Sequence, residues 1–190
     1  MNSELQAAYK RCCENHGEYN SDIYEHVPTL RKYAEKCEHI TEFGVRWVVS
    51  TWALIAGAPK KMVSYDIEKY LDVERAKRVA IENGVDFTFV LGSTLEVDIE
   101  ETDLLFIDTL HTYAQLKGEL ERHANKARKY IIMHDTVAYA LRGMGPELGG
   151  DTIQKGLKNA IDEFLEADKN WVVKEVFNNN NGLTVLARKQ

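Results

Sequence analysis

Along this chain the pattern of apolar and polar positions changes period repeatedly, and each change marks an element. The opening SELQAAYKRCCENH predicts a helix from Ser3 to about His16, closed by Gly17. After a polar turn, Pro28 begins a second helix, PTLRKYAEKC, with proline in the first turn where its missing N–H costs nothing. Short apolar runs then alternate with helical segments. HITEF, KMVSYD, DFTFVLG, DLLFID and YIIMHD predict strands. WVVSTWALIAG, VERAKRVAIENG (capped by Gly84) and TYAQLKGELERHANKAR predict helices after the first, second and fourth of them. The last three of these strands are apolar throughout, the mark of burial on both faces. A helix in IQKGLKNAIDEFLEAD follows, and WVVKEVF and LTVLAR around an NNNNG turn predict an antiparallel hairpin.

Strands alternating with helices and closing on a hairpin predict an α/β sandwich with a mostly parallel sheet. No linker, repeat or low-complexity stretch divides residues 1–190, so the expectation is one domain, with residues 1–38 a helical segment packed on its core. The segment from Thr136 to Asp151 holds four glycines and a proline, and a loop of that length in a compact domain is usually functional. It is expected to border an acceptor.

Composition narrows the partners. The chain is 44% hydrophobic and 28% charged, ordinary for a globular protein, and no apolar run approaches the roughly 18 residues that span a bilayer. No membrane partner is therefore expected. A net charge of −6 lacks the basic stripe that a nucleic-acid backbone requires, which leaves a small molecule or a glycan. Cys12, Cys13 and Cys37 are odd in number and lack C-x-x-C spacing; with a polar amino terminus they fit reduced, packing thiols in the cytoplasm.

Candidate chemistry collects at the strand tips. Ligands of open parallel sheets bind beyond the carboxyl ends of the strands. Here those ends read Glu42–Gly44, Asp66, Gly92–Thr94, Asp108–His111 and His134–Thr136, polar residues on apolar strand bodies. Gly44 stands where backbone turns close to a ligand. Asp66 is placed to hold both hydroxyls of a ribose, and Ser93 and Thr94 to flank an adenine. Only Gly44 precedes Gly57, so the G-x-G-x-x-G that cradles a diphosphate is missing, and a nucleoside without phosphates fits better. Each aspartate also has a plainer reading as a cap of the next turn. His16, His39 and His123 read as structural or exposed, Trp47, Val48 and Trp52 as helix core, and KGELERHANKARK as a solvated helix face. His26 is expected to border the acceptor pocket.

TEFGVRWVVSTWALIAG, SYD, DLLFIDTLHTY and YIIMHDT, in that order, resemble the class I S-adenosylmethionine-dependent methyltransferases. FIDxxHxY, then HDT and the late NNNGLTVL-like hairpin, resemble the branch of cephalosporin-pathway, rhamnosyl and macrolide sugar O-methyltransferases, over Ser21 to Arg188. The resemblance implies a Rossmann-like three-layer sandwich with seven strands, the last antiparallel, and S-adenosylmethionine across the first four tips. It implies Glu42 and Gly44 on the methionine and ribose side, Asp66 on the ribose, Ser93 and Thr94 by the adenine, and Asp108 between cofactor and acceptor. In the macrolide relatives an Asp-x-x-His supplies a metal ligand and a base, matched by Asp108 and His111. Their later acidic pair is matched in part by His134 and Asp135, histidine replacing the first acid. Asp108, His134 and Asp135 are thus the candidate ligands for Mg2+ or Mn2+, and His111 is the candidate base, with His134 its rival. The reaction implied is methyl transfer to a hydroxyl, foremost a sugar's. Two other readings are a metal-dependent hydrolase, which leaves Glu42, Asp66 and Gly92 unexplained, and an S-adenosylmethionine-binding module without turnover.

Overall fold

The computed structural model describes residues 1–15, 21–150 and 152–189. Seven strands, β1 (His39–Phe43), β2 (Lys61–Asp66), β3 (Asp86–Leu91), β4 (Thr102–Ile107), β5 (Ala127–His134), β6 (Trp171–Phe177) and β7 (Leu183–Arg188), form one sheet in the order β3-β2-β1-β4-β5-β7-β6. The pairs from β3 through β5 are parallel, and β7 runs antiparallel to both β5 and β6. This is a Rossmann-like α/β sandwich with a closing hairpin.

Among the described residues six α-helices cover the sheet: α1 (Ser3–Cys13), α2 (Val27–Ala34), α3 (Val49–Ala56), α4 (Asp72–Glu82), α5 (Tyr113–His123) and α6 (Leu157–Ala167). Successive residues of a strand point to opposite faces, so β4 is buried twice over. Leu104 and Phe106 enter a core with α1 to α4, while Leu105 and Ile107 enter a second core with α5 and α6. Every strand from β1 to β5 therefore delivers its carboxyl end to one rim. The order reverses between β1, which continues toward β2, and β4, and a crevice opens there.

The differences from the expected elements have local causes. The described part of the first helix ends at Cys13; His16 and Gly17 lie outside the described residues, as does Asp151. The second helix begins at Val27 and stops at Ala34. α3 starts two residues after Trp47, because Val48 adopts a left-handed φ of 55°. α6 starts only after Gly156, and the long loop before it holds a short 3-10 turn, Pro146–Leu148. β3 is not buried on both faces. It is an edge strand with Asp86, Thr88 and Leu91 exposed, and its apolar run did not reveal that position. Among the described residues no helix is long and apolar enough to cross a membrane.

Candidate active site

The turn after β1 brings two strand tips into contact. Gly44 has φ +83°, and a Cβ built on it would lie 1.9 Å from the carbonyl oxygen of Asp108 at the tip of β4. The turn then runs through Arg46 and Val48, both left-handed (φ 42° and 55°), a conformation that costs a non-glycine residue and tends to collect at functional sites. Asp66, at the end of β2, holds this turn: its Oδ2 accepts from the amides of Val45 (2.7 Å) and Arg46 (3.1 Å). Beyond the turn a cleft opens, lined by Gly44, Trp47, Ser50, Asp108, His111 and Asp135 among others. Trp47 thus belongs to the cleft instead of the helix core, with the Arg46 guanidinium 3.9 Å above its ring. Asp22 and Ile23 form part of the opposite wall, and Asn181 Nδ2 donates to Asp22 Oδ2 (3.3 Å).

Glu42 lies inside the protein, fully buried. Ser50 Oγ donates to its Oε1 (2.7 Å), Ser64 Oγ to its Oε2 (2.6 Å) and Thr51 Oγ1 to both. Its carboxyl meets the cleft only through Ser50, which no pattern around HITEF announces. Burial pushes Glu42 up to about 7, against the opposing pull of these hydroxyls. A carboxyl raised above its unfolded value contributes stability at low pH that is lost as pH rises through the folded value, here about 3 kcal/mol between roughly pH 4 and 7. Glu42→Gln stays neutral, so its urea-unfolding free energy is expected to fall less than wild type over that interval. An equal fall would show that Glu42 is ionised at no cost.

The other end of the cleft is a charge cluster. His111 Nε2 donates to Asp135 Oδ2 (2.7 Å) and lies 3.4 Å from Asp108 Oδ1. Its ring stacks on Tyr139 at 4.8 Å. His134, whose side chain is fully buried, donates from Nε2 to the carbonyl of Asn180 (3.0 Å). Its Nδ1 faces Asp135 Oδ2 at 3.3 Å and Asp108 Oδ1 at 3.5 Å, yet forms no hydrogen bond, and Asp135 Oδ1 is buried without a partner too. Asp135 itself is left-handed (φ 60°). Burial would discourage charge on His111, but Asp108 and Asp135 outweigh it and hold the ring up to about 9. The same contest, with Asp108 the stronger partner, takes His134 up to about 11. Both carboxyls are held below the usual range by the imidazoles despite their burial.

The structure therefore gathers Asp108, His111, His134 and Asp135, with Gly44 against Asp108. Asp66, Ser93 and Thr94 stand apart, on the tips of β2 and β3. His26 does not border the cleft. It is buried behind His134, ring to ring at 5.6 Å, and donates to the Asn179 carbonyl. The expected solvated face of α5 is also wrong in part: Glu119 and His123 are buried, His123 donating to the Thr94 carbonyl (2.7 Å). Charged letters hid both residues. Their three-residue spacing from Leu116 and Leu120, which puts them on the same helix face, was the available signal.

No protein-family model matches this sequence, and no characterised protein matches it in sequence. In three dimensions the chain has the fold of the class I methyltransferases. The O-methyltransferase TomG from Streptomyces achromogenes, solved with S-adenosylmethionine, is similar over 100% of this chain and 91% of its own, at 15% identity and TM-score 0.63. An O-methyltransferase from Bacillus cereus, solved with S-adenosylhomocysteine, is similar over 100% and 92%, at 15% identity and TM-score 0.62. The 1,6-didemethyltoxoflavin-N1-methyltransferase of Burkholderia thailandensis is similar over 99% and 87%, at 11% identity and TM-score 0.64.

Proposed function

We propose that the protein transfers a methyl group from S-adenosylmethionine to a hydroxyl oxygen of a small-molecule or glycan acceptor, a sugar foremost. The observation that carries this reading is the cleft itself. It opens where the strand order reverses, passes over Gly44, and ends on Asp108, His111 and Asp135. A sulfonium is a cation, and carboxylates at this end attract it. No glycine-rich phosphate cradle competes for the role.

The nucleoside would extend from Gly44 over the tips of β2 and β3. Asp66 has carboxylate lone pairs left for ribose hydroxyls beside the amides it already accepts. Ile67 and Leu91, 79% and 62% exposed on adjoining tips, offer apolar surface to a base near Ser93 and Thr94. Glu42 acts from beneath by fixing Ser50. Asp66→Ala is expected to weaken S-adenosylhomocysteine binding by about 1.5–3 kcal/mol, the worth of hydrogen bonds to a charged group. Unchanged affinity in titration calorimetry would remove Asp66 from the cofactor site.

The acidic end fits a divalent cation. Asp108, His111 and Asp135 each bring a donor atom within 4.8 Å of the others, His134 Nδ1 lies 3.3 Å from Asp135 and 3.5 Å from Asp108, and Asp135 Oδ1 is buried without a partner. His134 has the second contact expected of a ligand, an N–H given from Nε2 to a backbone carbonyl, so Nδ1 is the atom a cation would take in place of its proton. Asp108, Asp135 and His134 would hold Mg2+ or Mn2+; the nitrogen donor favours manganese. Such an ion acidifies a nearby hydroxyl and orients it. His111 lines the cleft where His134 does not; a cation taking up both carboxylates would remove the ion pairs that keep this imidazole protonated, and the neutral ring would then take the hydroxyl proton. In-line alignment of oxygen, methyl and sulfur supplies the rest, up to about 7–11 kcal/mol. Chelation is expected to abolish methyl transfer and added Mn2+ to restore it, with S-adenosylhomocysteine affinity hardly changed. Full turnover in excess chelator would leave the carboxylates as hydrogen-bonding groups only.

A further inference from the structure

Three polar side chains spaced four apart on α5 form one seam. Thr94, at the tip of β3, is gripped by all of them. Its Oγ1 donates to Glu119 Oε1 (2.6 Å) and accepts from Gln115 Nε2 (2.9 Å), and its carbonyl accepts from His123 Nε2 (2.7 Å). The other oxygen of Glu119 accepts from Thr109 Oγ1 (3.0 Å), the residue that follows Asp108 at the tip of β4. Glu119 is fully buried, between Leu116 and Leu120 of the second core. A helix that only had to pack there would bury an aliphatic side chain, since an enclosed carboxyl is costly unless its hydrogen bonds are made. These hydrogen bonds reach in two directions. β3 and β4 are separated in the sheet by β2 and β1, so no strand ladder ties their tips together.

We infer that Glu119 is a positioning residue that joins the two ends of the cofactor site, holding the Ser93–Thr94 turn in register with the Asp108–His111 turn. The inference rests on the methyl-transfer reading. The backbone bonds at these tips run only to neighbouring segments, Gly92 N to the Asp66 carbonyl and Asp108 N to the Phe43 carbonyl, so none joins one turn to the other, and each turn carries groups assigned to opposite ends of one elongated ligand. One carboxyl bridging both sets the span between them. The bridge needs hydrogen-bonding capacity in two directions but no net charge, and glutamine supplies that in the same shape.

The test is titration calorimetry of the whole chain with S-adenosylhomocysteine, beside circular dichroism to establish folding. Glu119→Ala is expected to weaken binding about tenfold, the scale on which supporting contacts act, and Glu119→Gln to recover most of the loss. Thr94→Val and Thr109→Val should each weaken binding, and neither should add its full loss to Glu119→Ala, because all three cut one bridge. Wild-type affinity in folded Glu119→Ala would overturn the inference, as would losses that simply add. Should the alanine variant not fold, unchanged affinity in Thr109→Val overturns it equally. A wild-type chain that binds no S-adenosylhomocysteine would overturn the methyl-transfer reading beneath it.

Discussion

Turnover on the acceptor is expected to fall about a hundredfold or more when His111 becomes alanine, while S-adenosylhomocysteine binds nearly as before. The reason is position. His111 Nε2 sits 2.7 Å from Asp135 and 3.4 Å from Asp108, at the end of the cleft where the proposed reaction places the acceptor hydroxyl. Its ring is held from one side by the Tyr139 stack, and its carbonyl accepts from the amide of Met144 (2.7 Å). The imidazole is thus pre-placed, and its removal deletes the proton acceptor without touching Asp66 or Gly44. His134→Ala should also impair turnover, but by a different route: it removes a buried contact to Asn180 and disturbs the carboxylates. The two variants separate on added Mn2+. Excess metal should rescue part of the His134 defect and none of the His111 defect. Rescue of His111→Ala by metal would make His111 a ligand and transfer the proton to another group.

Gly44→Ala is expected to be severely damaging. The added carbon would stand 1.9 Å from the Asp108 carbonyl oxygen, a backbone atom that cannot swing aside, and at φ +83° an alanine is strained even in open space. The left-handed conformation and the overpacking together are worth roughly 3 kcal/mol or more. Because Gly44 touches the β4 tip, the damage should be functional as well as structural. A variant that remains folded should have lost cofactor affinity, since the β1 turn and the Asp108–His111 turn can no longer approach. Gly84→Ala, where φ is +81° but no atom lies within 4 Å, is the control that carries the strain without the clash. It should lower stability moderately and leave binding intact. Equal loss of binding in both would refer the effect to global stability.

The strands, their parallel order and the closing hairpin were legible because their signals are local. HITEF, KMVSYD and DLLFID are short apolar runs ended by turn residues, and the structure places strands on each. Edge or centre is a property of the whole sheet, so DFTFVLG was misread as doubly buried although it borders solvent. The site divides in the same way. Asp108-x-x-His111 is legible because three residues and one tight turn bring the side chains together. Glu42 looked like a group facing the ligand because the letters at strand tips do not show which way a side chain points. The partners that turn it inward, Ser50, Thr51 and Ser64, come from α3 and β2. Glu119 vanished among the charges of KGELERH for a related reason. Burial of a carboxyl is decided by what packs on it, here Thr94 and Thr109 from two separate turns.

On the methyl-transfer proposal, the cleft between the tips of β1 and β4 binds S-adenosylmethionine and passes on its methyl group. Titration of the purified chain with S-adenosylhomocysteine tests it most directly, because binding needs no knowledge of the acceptor. The expected result is saturable one-to-one binding, competed by S-adenosylmethionine and weakened in Asp66→Ala. Absence of binding by a folded chain, or binding that Asp66→Ala and Gly44→Ala both leave unchanged, would contradict it.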